Sequence, residues 1–342
     1  MQKRNNRKKY LPISIVIPTY NRAAFALRAV SSALSQCSTG DEVIVVDDGS
    51  DDDTEGRLRP YRNRIVYHRV SHGGAGRARN IGMSIAKSPL MAFLDSDDEW
   101  MMGKLSLQRA FLNARPDVLF CFTDLKYRYV SGYEQNNMLS FFVGDAMLKK
   151  DFLGPGIPFS SFAPLPKGHN DFFVHIGDLY AKQMEREYVS LVTLVFRKGL
   201  AGEQVRFPED LPTREEWEFV GQLARRGLAA YFDCETAVVY RHDGPQLTKV
   251  DPLMLLSARL KVLTRVWGSD EPFLVKQGRR YQKVLEELRL RRAMYLLAAG
   301  QRDEARNELR QIKRVPIAYQ LLRYFPGIII AILLRARKYL LQ

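Results

Sequence analysis

Two groups of carboxylates stand where apolar runs stop. The run Leu90 to Leu94 ends in Asp95-Ser96-Asp97-Asp98-Glu99, four acids in five positions. Side-by-side carboxylates repel, and desolvating them is costly unless something positive sits among them. A hard divalent cation holding a diphosphate is the commonest such partner. The plainer alternative is an acidic surface turn. Earlier in the chain, Val43-Ile44-Val45-Val46 stops in the same way at Asp47-Asp48-Gly49-Ser50.

The elements around these acids must bring them together. Ile13 to Ile17 is a short β-branched run, the pattern of a buried parallel strand. It stops at Pro18-Thr19-Tyr20-Asn21, where Asn21 can cap the following helix. In that helix Leu27, Val30 and Leu34 recur at helical spacing and are expected to face the sheet. A third strand near Ile65 to His68 leads into Ser71-His72-Gly73-Gly74-Ala75-Gly76-Arg77-Ala78-Arg79-Asn80. The glycines permit tight backbone near a ligand, and a helix starting around Gly76 could point amides at phosphate, with Arg77 and Arg79 adding positive charge. A plain loop-to-helix connection fits the same residues. Alternating strand and helix patterns predict an α/β fold with a parallel sheet. Ligands in such sheets bind outside the carboxyl ends of the strands, so both acid groups can meet across one crevice.

Four segments come in order: Ser14-Ile15-Val16-Ile17-Pro18-Thr19-Tyr20-Asn21-Arg22, Val46-Asp47-Asp48-Gly49-Ser50, Ala78-Arg79-Asn80-Ile81-Gly82 and Phe93-Leu94-Asp95-Ser96-Asp97-Asp98. Together they resemble the nucleotide-sugar half of family 2 glycosyltransferases, over about residues 11–115. The resemblance implies a GT-A fold: a Rossmann-like, mostly parallel central sheet flanked by helices. It implies an inverting transfer of one sugar from a nucleotide-diphosphate donor, a UDP-sugar by preference, with Mn²⁺ or Mg²⁺. It carries Pro18, Tyr20, Arg22, Asp48, Arg79, Asp95 and Ser96 to the donor, with Tyr20 stacking on the base. A carboxylate at Asp48 suits a uracil imide N–H, because an ionised carboxylate only accepts. Asp97 is the implied metal ligand, with Asp95 toward the ribose or a metal-bound water.

The second half carries the acceptor side. Val118–Thr123 and Ser190–Phe196 read as strands, and Phe141 to Phe173 as a long irregular loop, where acceptor recognition is expected. Glu215-Glu216 precede Trp217, Phe219, Val220 and Leu223 and open a helix. In the family such an acidic pair supplies the catalytic base. Glu216 stands where the family more often has Asp, and Glu215 is its rival, with Glu209-Asp210 a third candidate. The plainer reading is a negative first turn favoured by the helix dipole. An inverting displacement needs a carboxylate to take the acceptor hydroxyl's proton. Similar family segments place a His near the diphosphate, here His242, as a further metal ligand.

The length of 342 residues and a hydrophobic content of 46% allow a large α/β domain plus an extension. The boundaries read as a basic tail over 1–10, a catalytic domain over 11–248 with its acceptor half from 116, and a helical, basic and apolar C-terminal extension over 249–342. In the extension, Leu253 to Trp267 and Tyr281 to Leu297 are helical, with a turn near Ala298 to Ala305. The net charge of +14 suits anionic partners. Nucleic acid is disfavoured, because the basic residues gather at the two ends while the crevice is acidic. The apolar stretch within 315–342 is too short to span a bilayer and has basic flanks, which predicts contact with a membrane interface. Packing on the catalytic domain, or on a second subunit in a homo-oligomer through the C-terminal helices, is the competing use. No signal peptide is apparent at the N-terminus. The expected setting is cytoplasmic, peripheral on the inner membrane face, with a glycan or lipid-linked acceptor. A sugar nucleotidyltransferase and a catalytically inactive GT-A scaffold are the alternatives. The former expects a Gly-rich basic loop after strand one, where this chain has Pro18-Thr19-Tyr20-Asn21.

Overall fold

The computed structural model describes residues 11–136, 153–241 and 251–313. The chain forms two compact units, Met1–Asp210 with Glu215–Gly244, and Leu211–Arg214 with Pro245–Gln342. The basic tail 1–10, His242, residues 141–152 of the irregular loop and the apolar segment 315–342 lie outside the described residues.

The first unit is built on one mixed sheet. Its strands are β1 Ile13–Thr19, β2 Glu42–Asp47, β3 Val66–Arg69, β4 Leu90–Phe93, β5 Glu99–Trp100, β6 Val118–Tyr129, β7 Glu134–Gln135, β8 Ile157–Pro158, β9 Phe173–Gly177, β10 Val195–Arg197 and β11 Leu228–Arg241. The order across the sheet is β3-β2-β1-β4-β10-β6-β11-β9-β8, with β5 on β11 and β7 on β6. The four strands β3, β2, β1 and β4 are parallel. The short β10 runs antiparallel between β4 and β6, and β6 and β11 pair in parallel. The sheet is therefore parallel over the donor half and mixed beyond it. All seven residues of β1 are buried, as expected of a central strand covered on both faces.

Helix α1, Ala23–Leu34, follows β1. It buries Ala26, Ala29, Val30, Ala33 and Leu34, but Leu27 is exposed. The small alanines let the helix lie close to the sheet, and Leu27 falls on the far side of the stripe. Asn21 does not cap this helix. It sits at φ 51°, its side-chain oxygen accepts from the Asp51 amide at 2.8 Å, and Asp52 receives the Ala23 amide at 2.9 Å. The cap comes from the loop after β2 instead of from the neighbouring residue.

Helices α2 and α3 are Thr54–Leu58 and Ala75–Ile85. Helix α3 lies tight on β1, because an added Cβ at Gly82 would stand 2.3 Å from Val16 Cγ1. Gly82→Ala is expected to destabilise the fold by about 1–3 kcal/mol, since overpacking outweighs the gain in helix propensity. Urea unfolding measures it, and an unchanged midpoint would contradict this packing.

Helix α4 is Lys104–Ala114, and two short helices, α5 Tyr180–Glu185 and α6 Lys198–Ala201, follow. The expected strand over Ser190–Phe196 is in part a 3-10 turn, Leu191–Thr193, leading into β10. Helix α7, Glu215–Ala224, opens on the acidic pair. Phe219 stacks on Phe207 at 4.1 Å between centroids and meets Phe93 edge-on at 5.6 Å, which pins α7 to β4.

The second unit contains α8 Pro252–Val266, α9 Glu271–Ala298 and α10 Arg302–Arg310. Asp251 and Asp270 cap the first two through Met254 and Phe273 amides at 3.0 and 3.1 Å. Ala293, Met294, Leu296, Leu297 and Ala305 form a small core between α9 and α10. No helix among the described residues is long and apolar enough to cross a membrane.

Candidate functional site

The site lies at the carboxyl ends of β1, β2 and β4, where the apolar strands give way to polar loops. At the end of β2, Asp48 is buried. It accepts the Gly73 and Gly74 amides at 2.8 and 2.7 Å, and His72 Nδ1 lies 2.9 Å from the same carboxylate. Gly74 holds φ 90°, a left-handed conformation that glycine adopts without strain and that aims its amide at Asp48. These two loop amides, whose helix was expected to start near Gly76, are therefore directed at Asp48. Tyr20, 40% exposed, stacks on His72 with centroids 4.2 Å apart. Together they form a flat aromatic wall beside Asp48. Asp47 has different partners: it accepts the Ser50 amide at 2.8 Å and the Tyr67 hydroxyl. Pro18 is buried within β1.

The acids after β4 divide into separate tasks. Asp97 faces Arg22, whose Nη2 is 3.7 Å from its carboxylate, and its carbonyl accepts from Arg28 at 2.7 Å. Ser96 is buried in the turn. Asp98 is buried and accepts the Tyr240 amide at 3.1 Å. Burial, then the charges of Asp95 and Asp97, push its carboxyl well above the usual range. Glu99 accepts the Tyr240 hydroxyl at 2.7 Å, and Arg28 lies over the Tyr240 ring at 3.6 Å. With β5 paired to β11, the acidic loop is tied to the strand that leads to His242. Arg241 lies 4.0 Å over the ring of Tyr127.

Asp95 belongs to a different group. Arg79, on α3, is 2% exposed, and its guanidinium serves three carboxylates. Nη2 donates to Asp95 at 2.8 Å and to Glu216 at 2.9 Å, while Nη1 donates to Glu215 at 3.0 Å. Burial works against the charge on Arg79, and Asp95, Glu216 and Glu215 more than offset it, holding the guanidinium above its ordinary range. The two glutamates differ in access. Glu215 keeps 8% of its side-chain exposure and Glu216 keeps 28%. Burial raises the Glu216 carboxyl well above the usual range; Arg79 opposes this, and Asp95, Glu215 and Glu187 add to it. Glu209 is spent elsewhere, accepting from Asn80 at 2.9 Å.

Thus Asp95, Glu215 and Glu216 meet on one cation although 136 residues separate Arg79 from Glu215. Asp48 and Tyr20 form a second group, joined through His72. Three participants carry no signal in the sequence: His72 as partner of both Asp48 and Tyr20, Arg28 beneath the acidic loop, and Tyr240 as its tether. Each depends on a pairing between distant segments.

A family model described as "Glycosyl transferase family 2" matches residues 14–165. Among curated relatives, an uncharacterized glycosyltransferase of Rickettsia bellii is 33% identical over 34% of this chain and 17% of that protein. A putative teichuronic acid biosynthesis glycosyltransferase of Bacillus subtilis is 27% identical over 67% of this chain and 78% of that protein. An Escherichia coli enzyme named as a UDP-Glc:alpha-D-GlcNAc-diphosphoundecaprenol beta-1,3-glucosyltransferase is 40% identical over 29% of this chain and 41% of that protein. The chain thus spans less than half the length of most of these relatives. Among solved structures, S. aureus TarS 1-349 in complex with UDP-GlcNAc superposes with a TM-score of 0.57 at 16% identity, covering 89% of this chain and 90% of that one. A Pyrobaculum calidifontis mannosyltransferase in complex with GDP-Man and Mn²⁺ gives 0.55 at 14% identity, over 97% and 81%. At these identities the likeness is one of fold. The matched residues 14–165, the ordered strand-end motifs and the shared architecture agree: residues 14–165 match the family 2 glycosyltransferases, and the fold is GT-A.

Proposed function

We propose that the chain transfers a sugar, with inversion, from a UDP-sugar to a hydroxyl of a glycan or lipid-linked glycan. The observation that carries this reading is the shared nitrogen of Arg79, which holds Asp95 at 2.8 Å and Glu216 at 2.9 Å. A donor-side acid and a partly exposed carboxylate are thereby held beside each other. The wall of Tyr20 and His72 offers a stacking surface for the base, with Asp48 beside it.

The donor set fits a hard divalent cation. Asp97 and Asp95 supply carboxylate oxygens, and the negative field they create is what drives the Asp98 carboxyl upward after burial. Mg²⁺ and Mn²⁺ sites of this kind use one or two carboxylates and complete the sphere with phosphate oxygens. Among the described residues no group of three possible ligands occurs, and His242 lies outside them. A bound cation would offset charge on the departing diphosphate.

Glu216 then acts as general base. It takes the proton of the acceptor hydroxyl while the oxygen bonds to the anomeric carbon and the bond to the diphosphate breaks. The leaving group departs as the nucleoside diphosphate. A carboxylate whose pKa burial raises above the usual range is a stronger base for this task. The E. coli relative's name supports a diphosphate-linked lipid acceptor, and the basic, apolar segment 315–342 supports contact with an anionic leaflet.

Thermal unfolding with UDP-glucose, UDP-GlcNAc and GDP-mannose, each with and without Mn²⁺, tests the donor assignment. A UDP-sugar with Mn²⁺ is expected to raise the midpoint by several degrees, since ligand at about 100 times Kd adds about 2.7 kcal/mol. No shift with any of the three would overturn it.

A further inference from the structure

We propose that Arg79 is a positioning residue that sets the Glu216 carboxylate against the donor-side acid Asp95. This rests on the reading of Glu216 as base. One nitrogen, Nη2, donates to both carboxylates, so their separation is fixed by a single atom. Nη1 anchors Glu215, the first residue of α7, and so fixes where the helix begins. A guanidinium is a rigid planar fork, and holding acceptors on two of its corners fixes its plane.

The side chain has little freedom to serve the diphosphate instead. It is 2% exposed, and its Cζ lies over the Phe207 ring at 5.4 Å. Its helix is seated against β1 through Gly82. The next residue reinforces the arrangement. Asn80 donates to the Phe207 carbonyl and accepts the Phe207 amide, both at 2.9 Å. Consecutive residues of α3 thus hold the segment before α7 and the first turn of α7 itself. Glu216 has one more side-chain torsion than an aspartate, and the contact with Nη2 restrains that extra freedom.

The test is a double-mutant cycle of Arg79→Lys and Glu216→Gln. Lysine keeps a charge but cannot serve three acceptors from one plane. Turnover is read as hydrolysis of whichever of UDP-glucose, UDP-GlcNAc and GDP-mannose gives the largest thermal shift, with water as acceptor. Affinity is read by calorimetry with the matching nucleoside diphosphate and Mn²⁺. Arg79→Lys is expected to lower kcat by about 100-fold, the cost of about 1 Å of misplacement. Nucleoside diphosphate affinity should change by less than about threefold. In the Glu216→Gln background the same substitution should cost less than about threefold, because Arg79 acts through Glu216. Equal losses in both backgrounds would overturn the proposal, as would a loss of affinity as large as the loss of turnover. Full turnover in Glu216→Gln alone would instead refute the base assignment. Should Arg79→Lys fail to fold, Arg79→Lys with Glu215→Gln removes one carboxylate from the cluster and carries the same cycle.

Discussion

Glu216→Gln is expected to slow transfer by orders of magnitude while leaving the donor bound. The carboxamide oxygen can still accept from Arg79 Nη2, which now lies 2.9 Å from the carboxylate, so local geometry is retained. What disappears is the ability to take a proton. General-base contributions are typically about 10²–10⁴-fold, and a loss of that size in kcat is the expected outcome. UDP affinity with Mn²⁺ should be nearly unchanged. The wild-type pH–rate profile should rise with pH through a group above the ordinary carboxylate range, since burial raises Glu216. The Gln variant should lack that rise. Glu215→Gln behaves differently in this account. Glu215 is the less accessible of the two, so its loss should appear mainly as a lower unfolding midpoint. If Glu215→Gln stops transfer and Glu216→Gln does not, the base is one residue earlier.

Asp97→Ala is expected to remove the dependence of donor binding on the metal. The side chain lies 3.7 Å from Arg22 and keeps 22% exposure. The loop is held by other contacts: the Asp97 carbonyl with Arg28, Asp98 with the Tyr240 amide, and Glu99 with the Tyr240 hydroxyl. A metal contributes several kcal/mol at a diphosphate, so UDP affinity measured with Mn²⁺ should fall by about 100-fold or more. The unfolding midpoint without ligand should move little. Retained Mn²⁺-dependent affinity in this variant would remove Asp97 from the proposed donor set.

Much of the donor half is legible in the order of residue types. Continuous apolar runs followed by acids mark β1, β2 and β4, because a strand buried on both faces leaves polar residues only at its ends. The acidic pair opening α7 is legible for the same local reason, a helical apolar pattern beginning directly behind it. The details that depend on distant chain are not legible. Asn21 has the composition of a cap, yet Asp52 receives the Ala23 amide and Asn21 turns to Asp51. Leu27 fits a helical stripe, yet alanines make the close contact and Leu27 faces outward. Periodicity reports which positions share a face. It does not report which face lies nearer the sheet.

The sequence by itself determined the acid groups, their places at strand ends, and the family 2 pattern that links them. Those are properties of neighbouring residues and survive without knowledge of the fold. Only the tertiary structure decided how the groups are shared. It turned Arg79 from one of several basic residues in a glycine-rich stretch into a buried cation on Asp95, Glu215 and Glu216. It also divided the acids after β4, sending Asp95 to Arg79, Asp97 toward Arg22, and Asp98 to the Tyr240 amide. The physical reason is that a buried charge is stabilised by whatever opposite charges the fold brings within hydrogen-bond reach, and that set is fixed by packing across the sheet.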